Sequence, residues 1–225
     1  MSGPVPHPTV AERLGRLAPD QRAAATAQPG PVLCVAPAGS GKTTTLVARV
    51  AWLVDGGADP ASVTIVAFNK RAAEELADRL DAALALLGVA AGSVRVRTFH
   101  ALGREILRDA GVPVEPLADR DEVLRDLFPG IAVGDRGRLD LAFSRLKLDL
   151  RVTADEIAAT DPGPGPVARA FMAYERAVRE TGGVDFDDLL VRALACLQAD
   201  ERLLTRWRAR TTRLLVDEAQ DLDRT

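Results

Sequence analysis

Two short stretches carry residues whose types and order suit phosphate chemistry. Ala36-Pro37-Ala38-Gly39-Ser40-Gly41-Lys42-Thr43 gathers glycines, a lysine and a hydroxyl into one turn. Leu214-Leu215-Val216-Asp217-Glu218-Ala219-Gln220-Asp221 ends an apolar run in paired acids. In the first stretch, Ala38, Gly39, Ser40 and Gly41 can turn backbone N–H groups toward phosphate oxygens. Lys42 can neutralise the outer phosphates of a nucleotide such as ATP, and Thr43 can ligate Mg²⁺. Ala36 stands where such loops usually begin with glycine. In the second stretch, Asp217 suits the Mg²⁺ shell and Glu218 suits polarising a water. The bland alternative for the first stretch, a Gly/Ser turn ahead of an ordinary helix, leaves the acids of the second without an explanation.

Lysine is scarce here. Of 29 basic residues only Lys42, Lys70 and Lys147 are lysine, so the one inside the loop stands against an arginine background. A compact ammonium on a flexible stem fits between phosphates, where a planar guanidinium would crowd the backbone.

These groups need elements to hold them. Val32-Leu33-Cys34-Val35-Ala36 reads as a strand running into the loop, and Thr43–Val54 as the helix that leaves it. Val63–Phe68 is a second apolar strand, followed by a helix with Ala72, Ala73, Leu76, Leu80, Ala83, Leu84 and Leu87 at helical spacing and Asn69 as its cap. Val94–Thr98 is a third strand, and Phe99 opens a helix through Leu107. Strand and helix alternate over residues 31–107, which predicts an α/β fold with a parallel sheet. Ahead of it, residues 1–10 read as a flexible arm and Pro19 as the start of a short helix. From about Asp109 helical stretches are punctuated by Gly and Pro, and no convincing strand returns until Arg213–Val216. Residues 108–184 therefore read as an all-helical insertion into a core built from 1–107 and 185–225. Asp185-Phe186-Asp187-Asp188 reads as acids complementing a helix N-terminus, with a catalytic or metal role as the sharper alternative.

The chain has 225 residues, 47% of them hydrophobic, enough for one sizeable core and a small satellite. A net charge of −3 argues against an electrostatic coat of nucleic acid but leaves room for a local groove. Cys34 and Cys196 make no disulfide framework, and Cys34 is expected as a buried hydrophobe of its strand. No stretch has the length and apolarity of a membrane span, so a reducing cytoplasmic setting is expected.

In order, these motifs resemble superfamily 1A DNA helicases of the UvrD/Rep type. Leu17-Ala18-Pro19-Asp20-Gln21-Arg22 is similar to their Q motif, whose glutamine reads the adenine edge, a role that falls on Gln21. Residues 36–43 resemble their phosphate loop, with Thr44 where many relatives carry a basic residue. Ala67-Phe68-Asn69-Lys70-Arg71-Ala72 and Thr98-Phe99-His100 resemble their DNA-contacting segments, and Asp217-Glu218-Ala219-Gln220-Asp221 their DExx box. The resemblance implies a RecA-like P-loop NTPase core (subdomain 1A) with a helical insertion (subdomain 1B). It implies ATP and Mg²⁺ on Gln21, Ala38 to Thr44 and Asp217. It also implies single-stranded DNA on Phe68, Asn69, Arg71, Thr98 and His100, and 3′-to-5′ translocation in DNA repair or recombination. The resemblance also implies a second motor domain as a missing partner, for whose later motifs these 225 residues carry no sequence. The chain alone is accordingly expected to bind ATP without unwinding duplex, and its oligomeric state stays open.

Read without the family, Phe68 suits a core position as well as a stacking surface, and His100 a polar helix start as well as a ligand. Other classes remain. Asn69-Lys70 could begin a guanine reader, but that needs an acid where Ala72 stands, and a small-molecule kinase has little use for the Asp-Glu pair. A non-catalytic nucleotide- or DNA-binding module is the remaining alternative.

Overall fold

Val63–Ala67 is a run of β-branched residues closed by alanine, and it forms strand β1, buried along its whole length. A strand this apolar on both faces belongs in the middle of a parallel sheet. In the computed structural model, which describes residues 5–28, 30–148 and 165–218, β1 is flanked in parallel by β2 (Arg95–Thr98) and β3 (Arg213–Val216), in the order β2-β1-β3. Ala67 pairs with Thr98 on one side and Val66 with Val216 on the other, so all three strands end at the same edge.

The described residues form two compact units, one of residues up to Thr98 together with those from Arg206, the other of Phe99–Thr205. The first unit holds the sheet and helices α1 (Pro8–Gly15), α2 (Pro19–Ala25), α3 (Lys42–Asp55) and α4 (Lys70–Ala85). Its core joins Val47 and Val50 of α3, Ile65 of β1, Leu76, Leu80 and Leu84 of α4, and Val96 of β2. Asn69 caps α4 as expected, its side chain accepting from the Ala72 N–H at 2.8 Å.

Helix α1 replaces the arm expected over residues 1–10. Pro8 occupies its first turn, the His7 side chain caps it, and the His7 N–H donates to Asp55 at 2.9 Å. Val10, Leu14 and Leu17 are buried in the core, and that burial holds the segment. A second difference concerns residues 32–36. They join no ladder among the described residues, and Cys34 is exposed rather than buried, beside Leu33 at 80% exposure. An apolar run is buried only where strands or helices cover both its faces, and among the described residues this one lacks them.

The second unit contains α5 (Phe99–Asp109), α6 (Arg120–Leu127), α7 (Val133–Leu148), α8 (Pro166–Glu180) and α9 (Asp188–Ala199). Helix α10 (Glu201–Arg210) runs across the division between the units. Phe143, Phe171, Tyr174, Leu124 and Val178 make the core of α6, α7 and α8. The units divide at 98/99 and 205/206, not at 107/108 and 184/185 as the Gly/Pro punctuation implied. The reason is the close packing of α5 on α9, where Gly103 lies against the Leu189 backbone and a Cβ would stand 2.4 Å from its carbonyl oxygen. That contact links residues 86 positions apart, and punctuation carries no trace of it.

Candidate functional site

The loop before α3 turns through two left-handed glycines, Gly39 at φ 77° and Gly41 at φ 82°, a conformation that costs glycine little and other residues more. Helix α3 then starts at Lys42 with no side-chain cap, so its first N–H groups have no side chain to bond. Free amides and a helix N-terminus on one turn favour an anion. Gln21 braces the loop from α2. Its Nε2 donates to the Ser40 carbonyl at 2.6 Å, and its Oε1 accepts from the Ala18 N–H at 3.0 Å. These two bonds fix which end of the carboxamide is which. One N–H and one lone pair direction remain for a ligand, the donor–acceptor pair that matches the N7 and N6 groups of adenine. Thr44, also expected at the nucleotide, is exposed.

Asp217 follows β3 directly, and its N–H continues the ladder to the Val66 carbonyl at 2.9 Å. Thr43 lies close enough to its carboxylate to favour the charged form. Burial and the neighbouring Glu218 push the Asp217 carboxyl up from its ordinary range, with Lys42 and Thr43 opposing them. A hydroxyl and a carboxylate close together are hard oxygen donors, and the burial and the neighbouring Glu218 charge that raise Asp217 penalise its anion in a way that a divalent cation offsets. Both features fit Mg²⁺. Glu218 sits at φ 53°, a sparsely populated conformation for a residue with a side chain. In that conformation its carboxylate lies 3.6 Å from Lys42 Nζ, which also donates to the Ala36 carbonyl at 3.4 Å. Lys42, Thr43, Asp217 and Glu218 are thus brought together at one mouth. Ala219, Gln220 and Asp221 of the same motif lie outside the described residues.

The expected DNA-facing residues separate into two groups. Phe68 follows β1 and Thr98 ends β2, on adjacent strands at the edge where β3 delivers Asp217. Phe68 is 56% exposed, so it is not a core residue. Arg71 is exposed in the first turn of α4 and pairs with Glu75 at 3.1 Å, while Asn69 is engaged as the cap. His100 belongs to the second unit. Its ring lies 4.2 Å from that of Phe186, and burial lowers its pKa, with Asp187 pulling the other way.

Sequence reasoning missed Phe186, which is 54% exposed although the acids beside it are buried. It also read those acids as complements to a helix dipole. Asp185 and Asp188 do bond each other's backbone N–H, at 2.8 and 3.0 Å, but Asp185, Asp187 and Asp188 are chiefly paired with buried cations. The available signal was an aromatic set between acids at 185–187, residues that cannot all share one environment.

Residues 17–225 match the model of the UvrD/REP helicase N-terminal domain. The chain is 33% identical to ATP-dependent DNA helicase UvrD1 of Mycobacterium tuberculosis over 96% of its own length and 30% of the relative's. It is 30% identical to ATP-dependent DNA helicase Rep of Escherichia coli, over 92% of this chain and 32% of that protein. DNA helicase II of Escherichia coli is 31% identical over 89% and 29%. The chain therefore spans about a third of the length of these relatives. A phosphate loop braced by a glutamine, an Asp-Glu pair at the end of the neighbouring parallel strand, and a match over nearly every residue agree: the chain belongs to the UvrD/REP helicase N-terminal domain family.

Proposed function

We propose that this chain is the ATP-binding part of a 3′-to-5′ translocase that moves on single-stranded DNA in repair or recombination. The observation that carries the reading is the convergence of Lys42, Thr43, Asp217 and Glu218 at the mouth of a glycine-rich loop. The loop amides and the start of α3 hold the phosphates, and Lys42 neutralises the outer ones. Gln21 uses its remaining donor and acceptor on the adenine edge while its other two bonds keep the loop in place. Glu218 orients the attacking water and accepts its proton, and its strained backbone keeps the carboxylate at the loop. Thr43 and Asp217 hold Mg²⁺, which when bound supplies charge neutralisation at the phosphates.

The polarity and the repair role rest on the resemblance of the motifs alone. Single-stranded DNA meets Phe68, Arg71 and Thr98 at the sheet edge of the first unit, and within the second unit His100 and Phe186 offer an aromatic surface of their own. Bases stack on the exposed rings, and Arg71 gives up Glu75 for a phosphate. Because the sheet edge also carries Asp217, a change at the nucleotide is transmitted to strands that end at the DNA.

The test is ATP affinity and turnover of the 225-residue chain with and without oligo(dT). Lys42→Ala is expected to weaken ATP binding with an unchanged circular dichroism spectrum. Unchanged affinity would exclude the loop as the phosphate site. Binding of ATP and oligo(dT) without any turnover would favour a non-catalytic module.

A further inference from the structure

Phe186 projects into solvent between two buried carboxylates, and three helices converge on those carboxylates. Arg120, the first residue of α6, donates from one Nη2 to Asp185 and to Asp187, both at 2.7 Å. Its other amino group donates to Ser144 of α7 at 2.8 Å, and Ser144 in turn donates to Asp187 at 2.7 Å. Tyr174 of α8 donates to Asp185 at 2.7 Å. Lys147 of α7 lies 2.9 Å from Asp185, 3.0 Å from Asp188 and 2.8 Å from Glu175 of α8. The residues on either side of Phe186 are therefore fixed by one guanidinium, and that guanidinium is fixed by α7.

Such a network is a poor source of net stability, because desolvating this many charges offsets most of their attraction. What it does is geometric. A guanidinium whose one amino group is shared by two carboxylates holds them in one arrangement more tightly than apolar packing, which tolerates repacking. Pinning 185 and 187 inward leaves the intervening side chain one direction, outward, and there Phe186 meets His100 at 4.2 Å.

We infer that Arg120, with Ser144 and Lys147 behind it, is a positioning residue that holds the Phe186–His100 pair as a preformed stacking surface for an unpaired base. The inference rests on the DNA-contact reading above. The helical insertion then acts on DNA affinity through Phe186 instead of through contacts of its own at this point.

The chain has two histidines, His7 and His100, so the imidazole C–H region of a proton NMR spectrum reports the pair directly. His7→Gln assigns the resonances, and Phe186→Leu gives the His100 shift without the neighbouring ring. At a pH where both imidazoles are neutral, Arg120→Met is expected to move the His100 resonance to the Phe186→Leu value. Ser144→Ala, which leaves every charge in place, should move it part of the way, and Arg120→Lys, which keeps the charge without the planar fork, should restore only part of the parental shift. In oligo(dT) titrations Phe186→Leu should weaken binding by about tenfold, and Arg120→Met should add nothing in the Phe186→Leu background. A His100 resonance unmoved in folded Arg120→Met or Ser144→Ala protein overturns the positioning role, as do losses that add across the two sites. Should Arg120→Met fail to fold, Ser144→Ala decides alone. Absence of oligo(dT) binding by the parent would refute the DNA reading, while the resonances still decide whether Arg120 orients Phe186.

Discussion

Glu218→Gln should tighten nucleotide binding while slowing turnover. Glu218 lies 3.6 Å from Lys42, so in the free protein the lysine charge is partly spent on a carboxylate that an incoming phosphate must displace. At that separation a charge pair is worth about 1 kcal/mol in a water-like dielectric and about 5 kcal/mol at the effective value for protein surfaces. Lys42 is 21% exposed and Glu218 38%, which places the pair toward the weaker end. Removing the carboxylate's charge should therefore improve ATP affinity by about 1 kcal/mol, roughly fivefold. The gain should shrink with added salt, since both groups are reached by solvent. Any DNA-stimulated phosphate release should fall by about 10²–10⁴, because glutamine cannot take the proton from water. A fluorescent ATP analogue titrated at two ionic strengths measures the first effect, and phosphate release the second. Weaker binding by a variant with parental thermal stability would refute the reasoning, since it would mean that Glu218 helps hold the nucleotide. Parental turnover would remove it from the chemistry.

Gln21→Ala should lower affinity for ATP more than for inorganic triphosphate, because it removes the adenine partner and loosens the loop only secondarily; equal losses in paired titrations would leave Gln21 as a brace alone. Gly103→Ala should destabilise the second unit by about 2 kcal/mol net of its better helix propensity, because a Cβ 2.4 Å from the Leu189 carbonyl forces two backbones apart. Thermal melts that match the parent would show that α5 can slide on α9. Burial lowers the His100 pKa and Asp187 partly restores it, so Asp187→Asn should lower it further in an NMR titration. With the folded value depressed, His100 contributes stability that is present above its unfolded pKa of about 6.5 and is lost as pH falls through the folded value. For Asp185, burial would raise the carboxyl but Lys147, Arg120 and Tyr174 overbalance it and lower the pKa. Its contribution is present above the ordinary carboxylate range and lost as pH falls through the depressed value, so melting temperatures of the parent and Asp185→Asn should converge in strong acid.

The glycine-rich loop and the strand-end acids of the proposed nucleotide site were legible because the chemistry proposed for them is local. Backbone amides can cradle a phosphate only if consecutive residues form the turn, so Gly39 to Thr43 must be contiguous, and an Asp at a strand end follows the apolar run that builds the strand. Asn69 as a cap, α3, α4 and the three strands of the sheet were readable for the same reason: periodicity and caps act within a few residues. Cys34 and Val35 were not, since the same apolar run reads as a buried strand whether or not neighbours cover it. Helix α1 was misread because three prolines at 4, 6 and 8 look like a disordered arm, whereas Pro8 in a first turn favours a helix.

The acids at 185–188 show where such reading stops. Their spacing suits a helix start, and part of that holds in the reciprocal bonds between Asp185 and Asp188. Their main partners stand at 120, 144, 147 and 174, on three other helices, and no pattern within a window of residues can announce a pairing across 65 positions. What the sequence does carry is a conflict. Four consecutive residues, three acidic and one aromatic, cannot all face one environment, and Asp185, Asp187 and Asp188 cannot be buried without cations arriving from elsewhere. Lysine is scarce in this chain, so Lys147 in the helical insertion was a candidate for that role, as Lys42 was in the loop. Lys147 stands where one charge meets three carboxylates at once, and the role proposed for Lys42 asks the same of it with phosphate oxygens.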